Sequence, residues 1–200
     1  MRIGVMGGTF DPIHLGHVQV AEQVAEALDL DQVVFVPAGQ PWMKSKPQAD
    51  PADRLAMVRA AIGRHSGFAA SRVDLDRPGP TYAVDTLADL QRAHACEHPD
   101  EHATWFFIAG ADALADFMCW RSPERILAMA KMVGVTRPGH RLDSSSVPGA
   151  SLILLQVDSM DVSSSMVRAL VHQGASIHGL VDPLVEEYIA EHGLYRDGAE

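Results

Sequence analysis

The chain has 200 residues, 47% of them apolar, and 16 Lys and Arg against 26 Asp and Glu give a net charge of −10. That composition excludes disorder and collagen-like folds, and a chain of this length buries roughly 70% of its extended surface, enough for one sizeable core. The acidic balance disfavours nucleic acid as a partner, Cys96 and Cys119 are too few for a disulfide framework, and no apolar run approaches the ~18 residues of a membrane span, so a cytoplasmic protein away from membranes is expected.

In chain order, an apolar run at residues 3–6 predicts a first strand, and Val18, Ala21, Val24, Ala25 and Leu28 follow at helical spacing. A second run at 33–36 predicts a strand, and Asp50-Pro51 opens the next helix with a cap and a proline at its first position. Residues 81–94 read as a helix, 105–109 as a strand, and Ser122-Pro123 as another helix start. Strands are expected at 132–135 and 152–155, with a loop over 138–149 that is rich in Ser, Gly and Pro and expected to move. Asp182-Pro183 begins a last helix, and Gly174 and Gly193 stand where helices stop. Strands alternating with helices argue for a parallel α/β sheet.

The densest chemical signal is Gly7-Gly8-Thr9-Phe10-Asp11-Pro12-Ile13-His14-Leu15-Gly16-His17, directly between the first strand and a helix. Small residues there let backbone N–H groups approach an anion, to which the helix adds its positive end. His14 and His17 are three residues apart, so both rings can serve one side, as donors to the charge on a transferring phosphoryl group. A Walker loop requires Lys where His17 stands, and the GxGxxG fingerprint fails after Gly4. A kinase-type loop and a bound hydride cofactor are thereby disfavoured. Further on, Ser163-Ser164-Ser165 offers an N-cap and free amides, with Arg168 one turn later. That pattern also fits a plain helix cap. His94, His98 and His102 recur every four residues, but Pro99 interrupts their helix and the surrounding acids read as a solvated turn, not a metal site.

GTFDPIHLGH resembles the GxFDxxHxGH motif of the nucleotidylyltransferase superfamily. Together with Thr81-Tyr82-Ala83-Val84-Asp85-Thr86-Leu87, Gly110-Ala111-Asp112 followed by Trp120, Thr136-Arg137-Pro138-Gly139, and Ser163-Ser164-Ser165 followed by Arg168, it is similar to the bacterial nicotinate-nucleotide adenylyltransferases from residue 2 to residue 195. The resemblance implies a Rossmann-like parallel sheet flanked by helices, with residues 1–200 as one domain and 161–200 its helical C-terminal subregion. It implies adenylyl transfer from ATP to nicotinate mononucleotide in NAD biosynthesis, with Mg²⁺ carried by the nucleotide and no protein metal site. Catalytic roles fall to His14, His17, Lys44 and Arg168. ATP contacts fall to Gly7, Gly8, Thr9, Phe10, His14, His17, Gly110, Asp112, Arg137, Ser163, Ser164 and Arg168. Nicotinate mononucleotide would meet Lys44, Thr81, Tyr82, Ala83, Trp120 and Arg121, with Trp120 as a flat platform for the pyridine. Taken singly, Asp112 also fits a helix cap and Trp120 a core residue.

The sequence departs from the family at Trp42-Met43 before Lys44, where many members carry Pro-Pro-His-Lys, at Ala83 for a common threonine, and at Ser165 for a frequent threonine. The alternatives are another superfamily transferase, such as one taking pantetheine phosphate, and a non-catalytic nucleotide-sensing module. Assembly into a homo-oligomer is left open.

Overall fold

The computed structural model describes residues 1–41, 47–136, 147 and 152–196. Lys44, Arg137 and the expected loop at 138–149, apart from Val147, therefore lie outside the described residues.

The six strands of the main sheet are β1 (Arg2–Gly8), β2 (Gln32–Pro37), β4 (Phe68–Ala70), β6 (Thr104–Gly110), β7 (Lys131–Thr136) and β8 (Leu152–Gln156). They lie in the order β4-β2-β1-β6-β7-β8, and every pairing is parallel. After β4 the chain returns across the sheet to lay β6 beside β1, so the order reverses between those two strands. In open parallel sheets that reversal leaves a crevice beyond the strands' carboxyl ends, where ligands bind. Gly7 and Gly8 end β1, and Gly110 ends β6.

Alternation along the strands builds two cores. Met6, Phe35, Phe106, Ile108 and Val133 face α1 (Leu15–Ala27), α2 (Pro51–Ile62), α7 (Ser164–His172) and α8 (Pro183–Glu191). Ile3, Val5, Val34, Phe107 and Met132 face α4 (Ala83–Glu97), α5 (Ala111–Ala115) and α6 (Pro123–Met129). Both faces are covered, which is why these strands read as continuous apolar runs. No helix among the described residues is long and apolar enough to cross a membrane.

The expected helix at 81–94 begins later and ends later, at Ala83–Glu97. Thr81 belongs instead to β5 (Pro80–Thr81), which pairs with β3 (Gln40–Pro41) in a separate small sheet. A short helix, α3 (Val73–Asp76), precedes it. Asp182 caps α8 through the amide of Leu184 at 2.9 Å, whereas the side chains of Asp50 and Ser122 accept no capping bond.

Candidate functional site

His14 occupies the N-cap position of α1 in extended conformation, one residue before the helix begins. Its amide donates to His17 Nδ1 at 3.3 Å, and the two imidazoles stack with centroids 3.7 Å apart. The expected shared orientation of the pair is thus realised as a stacked couple at a helix N-terminus, where the positive end of the peptide dipoles favours an anion. Phe10 presses edge-on to the His17 ring at 5.1 Å and packs against Phe35. The Phe10 ring is buried, so what that residue can offer a ligand is its backbone, which turns at φ +49°. The same ring explains Gly8, since a Cβ there would come within 2.9 Å of it.

The N-terminus of α7 docks on the same loop. Ser163 caps it by accepting from the Met166 amide at 3.2 Å, and Ser164 Oγ donates to the Pro12 carbonyl at 2.8 Å. Arg168 Nη1 donates to the Asp11 carbonyl at 2.7 Å. Two helix N-termini, a histidine pair and a guanidinium therefore gather around Asp11 and Pro12. The plain-cap reading of Ser163 is correct as far as it goes, but the cap also delivers Arg168 to the glycine loop.

A second group lies against the opposite core. Trp120 packs on Phe107 and Phe117 with centroids 5.9 and 5.4 Å away, and its Nε1 is buried without a hydrogen-bond partner among the described residues. Phe107 is also the nearest side chain to a Cβ built at Gly7, at 3.6 Å, so one phenyl ring separates the indole from the glycine loop. Arg121 lies over the Tyr82 ring at 4.8 Å and reaches Asp85 at 3.8 Å. Ala83 is the first residue of α4, where a backbone N–H has no intrahelical acceptor. Thr81 is otherwise engaged: its Oγ1 accepts from the Gly39 amide at 3.0 Å, tying this segment to the strand that leads toward Lys44. Asp112 is exposed in the first turn of α5, whose N-cap is Gly110, so Asp112 is not that helix's cap.

Sequence reasoning missed the residues that hold these parts together. Asp11, inside the quoted motif, is buried, and its carboxylate accepts from the Gln48 and Ala49 amides at 2.8 and 3.0 Å and from the Tyr195 hydroxyl at 2.8 Å. Arg54 is fully buried, and its Nη1 and Nη2 donate to the Thr9 and Gly39 carbonyls at 2.7 and 3.4 Å. Burial pulls that guanidinium below its usual pKa, with Asp11 foremost among the groups that push it back up. The available signal was spacing: Arg54 lies four and seven residues before the buried Val58 and Ala61, inside the apolar stripe of α2. Among the described residues, no three or more His, Cys, Asp or Glu side chains group in a way that could hold a metal ion.

The cytidylyltransferase-like family model matches residues 5–170. A protein of Acidothermus cellulolyticus named "Probable nicotinate-nucleotide adenylyltransferase" is 48% identical over 200 residues, covering 98% of this chain and 94% of its own length. One of the same name from Streptomyces coelicolor is 46% identical, covering 96% and 99%. Among solved structures, Plasmodium falciparum nicotinic acid mononucleotide adenylyltransferase complexed with NaAD aligns with a TM-score of 0.76 at 21% identity, covering 100% of this chain and 99% of that one. That likeness is one of fold.

Proposed function

This chain belongs to the nicotinate-nucleotide adenylyltransferase family and is a nucleotidyltransferase, and we propose that it transfers the adenylyl group of ATP to nicotinate mononucleotide, releasing pyrophosphate and nicotinate adenine dinucleotide. The observation that carries this reading is the gathering of the His14–His17 couple and Arg168 on the loop that ends β1, at the reversal point of the sheet.

In this reading the phosphate of the mononucleotide attacks the α-phosphorus of ATP in line, forming the new P–O bond as the bond to pyrophosphate breaks. No enzyme nucleophile is needed. The β1 loop amides and the N-terminus of α1 receive the phosphates, His14 and His17 donate to the oxygens on which charge grows, and Arg168 with the N-terminus of α7 holds the departing pyrophosphate. Lys44 and Arg137 are assigned to the same phosphates by the family motif alone. Magnesium enters as part of the Mg–ATP substrate, whose phosphates and waters satisfy a hard cation that seeks few protein ligands. Asp112 is assigned to the ribose. The pyridine rests on Trp120, and its carboxylate accepts from the amides of Ala83 and Arg121. A cytoplasmic location agrees with soluble nucleotide substrates.

Pyrophosphate release from ATP, measured with nicotinate mononucleotide, nicotinamide mononucleotide and pantetheine phosphate in turn, tests the reading. Turnover with the nicotinate compound far above the other two is expected. Release with pantetheine phosphate alone would move the chain to another acceptor class, and no release with any of them would leave a nucleotide-binding module.

A further inference from the structure

The Asp11 carboxylate sits beside two arginines, Arg54 and Arg168, yet the hydrogen bonds it accepts come from three uncharged donors. Its Oδ1 takes the Tyr195 hydroxyl at 2.8 Å and the Ala49 amide at 3.0 Å, and its Oδ2 takes the Gln48 amide at 2.8 Å. Arg168, which could close a charge-assisted pair with it, stops 4.0 Å from Oδ2 and bonds the Asp11 main-chain carbonyl instead. Charge-assisted pairs draw in to roughly 2.7–2.9 Å when nothing prevents it. Something holds this carboxylate turned away.

Of its three donors, two are main-chain amides where the chain enters α2, and the third is a side chain brought from far along the sequence. Tyr195 is buried, follows α8, and adopts φ +64°, a left-handed backbone that a non-glycine residue rarely takes. Burial and the neighbouring Asp11 keep its phenol well above the ordinary tyrosine range, so it remains a donor across the physiological pH range. The backbone is bent into an unfavourable region, and the hydroxyl it delivers reaches Asp11 Oδ1.

We propose that Tyr195 is a positioning residue for Arg168: by occupying Asp11 Oδ1 it keeps the carboxylate turned onto neutral donors, so that the Arg168 guanidinium keeps its charge for triphosphate oxygens. The proposal rests on the assignment of Arg168 to the ATP phosphates made above. Without the phenolic hydroxyl, the carboxylate keeps only its two amide donors, and Arg168, 4.0 Å from Oδ2, is the cation positioned to replace the lost one. The carboxylate then rotates, the ion pair closes, and ATP must break it to bind.

Tyr195→Phe keeps the ring in its seat and removes only the hydroxyl. Steady-state kinetics are measured for the parent, Tyr195→Phe, Arg168→Gln and the double variant, each checked for a single cooperative melt. The KM for ATP is expected to rise roughly five-fold in Tyr195→Phe with kcat within about twofold, and to change by less than about 1.5-fold when the same substitution is made on Arg168→Gln. A hydroxyl that merely stitches the C-terminal segment to the core would act alike in both backgrounds, and equal rises would overturn the proposal. So would an unchanged KM in Tyr195→Phe while Arg168→Gln raises it, an outcome that leaves Arg168 on the triphosphate. If Arg168→Gln itself leaves the KM for ATP unchanged, the assignment of Arg168 fails and the proposal with it.

Discussion

At the scale of single residues, His17 has the most constrained role: it is stacked on His14, edged by Phe10 and receives the His14 amide on Nδ1, in the first turn of α1. Removing one donor to a transition state typically costs about 3 kcal/mol. His17→Ala is accordingly expected to lower kcat by on the order of 10²-fold with a much smaller change in the KM for ATP, and a kcat within threefold of the parent would make His17 a bystander. Arg168 already donates Nη1 to the Asp11 carbonyl, so in the role proposed for it the grip on phosphate depends on the remaining fork. Lysine has no fork, and Arg168→Lys should raise the KM for ATP clearly in the same assay. The motif made His14, His17 and Arg168 legible because their chemistry is local to glycines and helix starts. Asp11, Arg54 and Tyr195 were illegible as site residues because their partners are main-chain groups and side chains 15 to 184 positions away, which spacing along the chain cannot display.

Elements hold the second half of the site. Asp74 on α3 is buried, and its carboxylate takes the hydroxyl of Thr86 on α4 at 2.8 and 2.9 Å together with the Arg77 guanidinium. Burial raises the Asp74 pKa, and Thr86 and Arg77 oppose that rise. Thr86→Val deletes the hydroxyl at nearly constant volume and leaves a buried carboxylate short of a donor. A loss of about 1–3 kcal/mol in urea unfolding is expected, and an unchanged midpoint would show that Arg77 alone satisfies the acid. In the proposed pocket the start of α4 also sets acceptor choice. Main-chain amides at Ala83 and Arg121 donate only, so a pyridine carboxylate fits both, whereas a carboxamide turns its NH₂ toward a donor. Comparison of kcat/KM for the two mononucleotides should favour the acid by at least roughly 10²-fold. Arg121→Ala should keep most of that preference, since its side chain is occupied by Tyr82 and Asp85; equal values in the parent would sink the pocket assignment. The long strands were visible as apolar runs. β3, β4 and β5 were not, because two or three residues carry no period and their pairing depends on partners 35 to 40 positions away.

At the scale of the whole molecule, the C-terminal helices are part of the main core: Val167, Val185, Ile189 and Tyr195 are buried in the same cluster as Phe35, Phe106 and Ile108 of the sheet. Tyr188 on α8 also donates to Asp53 on α2 at 2.9 Å. One cooperative unfolding transition is therefore expected for the chain, with residues 161–196 melting together with the sheet. Ile189→Ala should lower Tm by roughly 5–20 °C without splitting it. Two transitions by calorimetry would make the C-terminal portion a separate unit. The alternation of strand and helix in the sequence sufficed for a parallel sheet. The position of its reversal did not follow from pattern, because nothing local marks the return from β4 to the far side of β1.

The bond between Tyr195 and Asp11 joins positions 184 residues apart, almost the whole span of the protein. A ribosome adding roughly 5–20 residues per second makes Tyr195 some ten to forty seconds after Asp11. The strands of the main sheet are all translated by then, but the core they share with the C-terminal helices closes only when Val185, Ile189 and Tyr195 arrive. The phenol that the proposal sets against the Asp11 carboxylate is in that sense the last part of the site that the ribosome supplies.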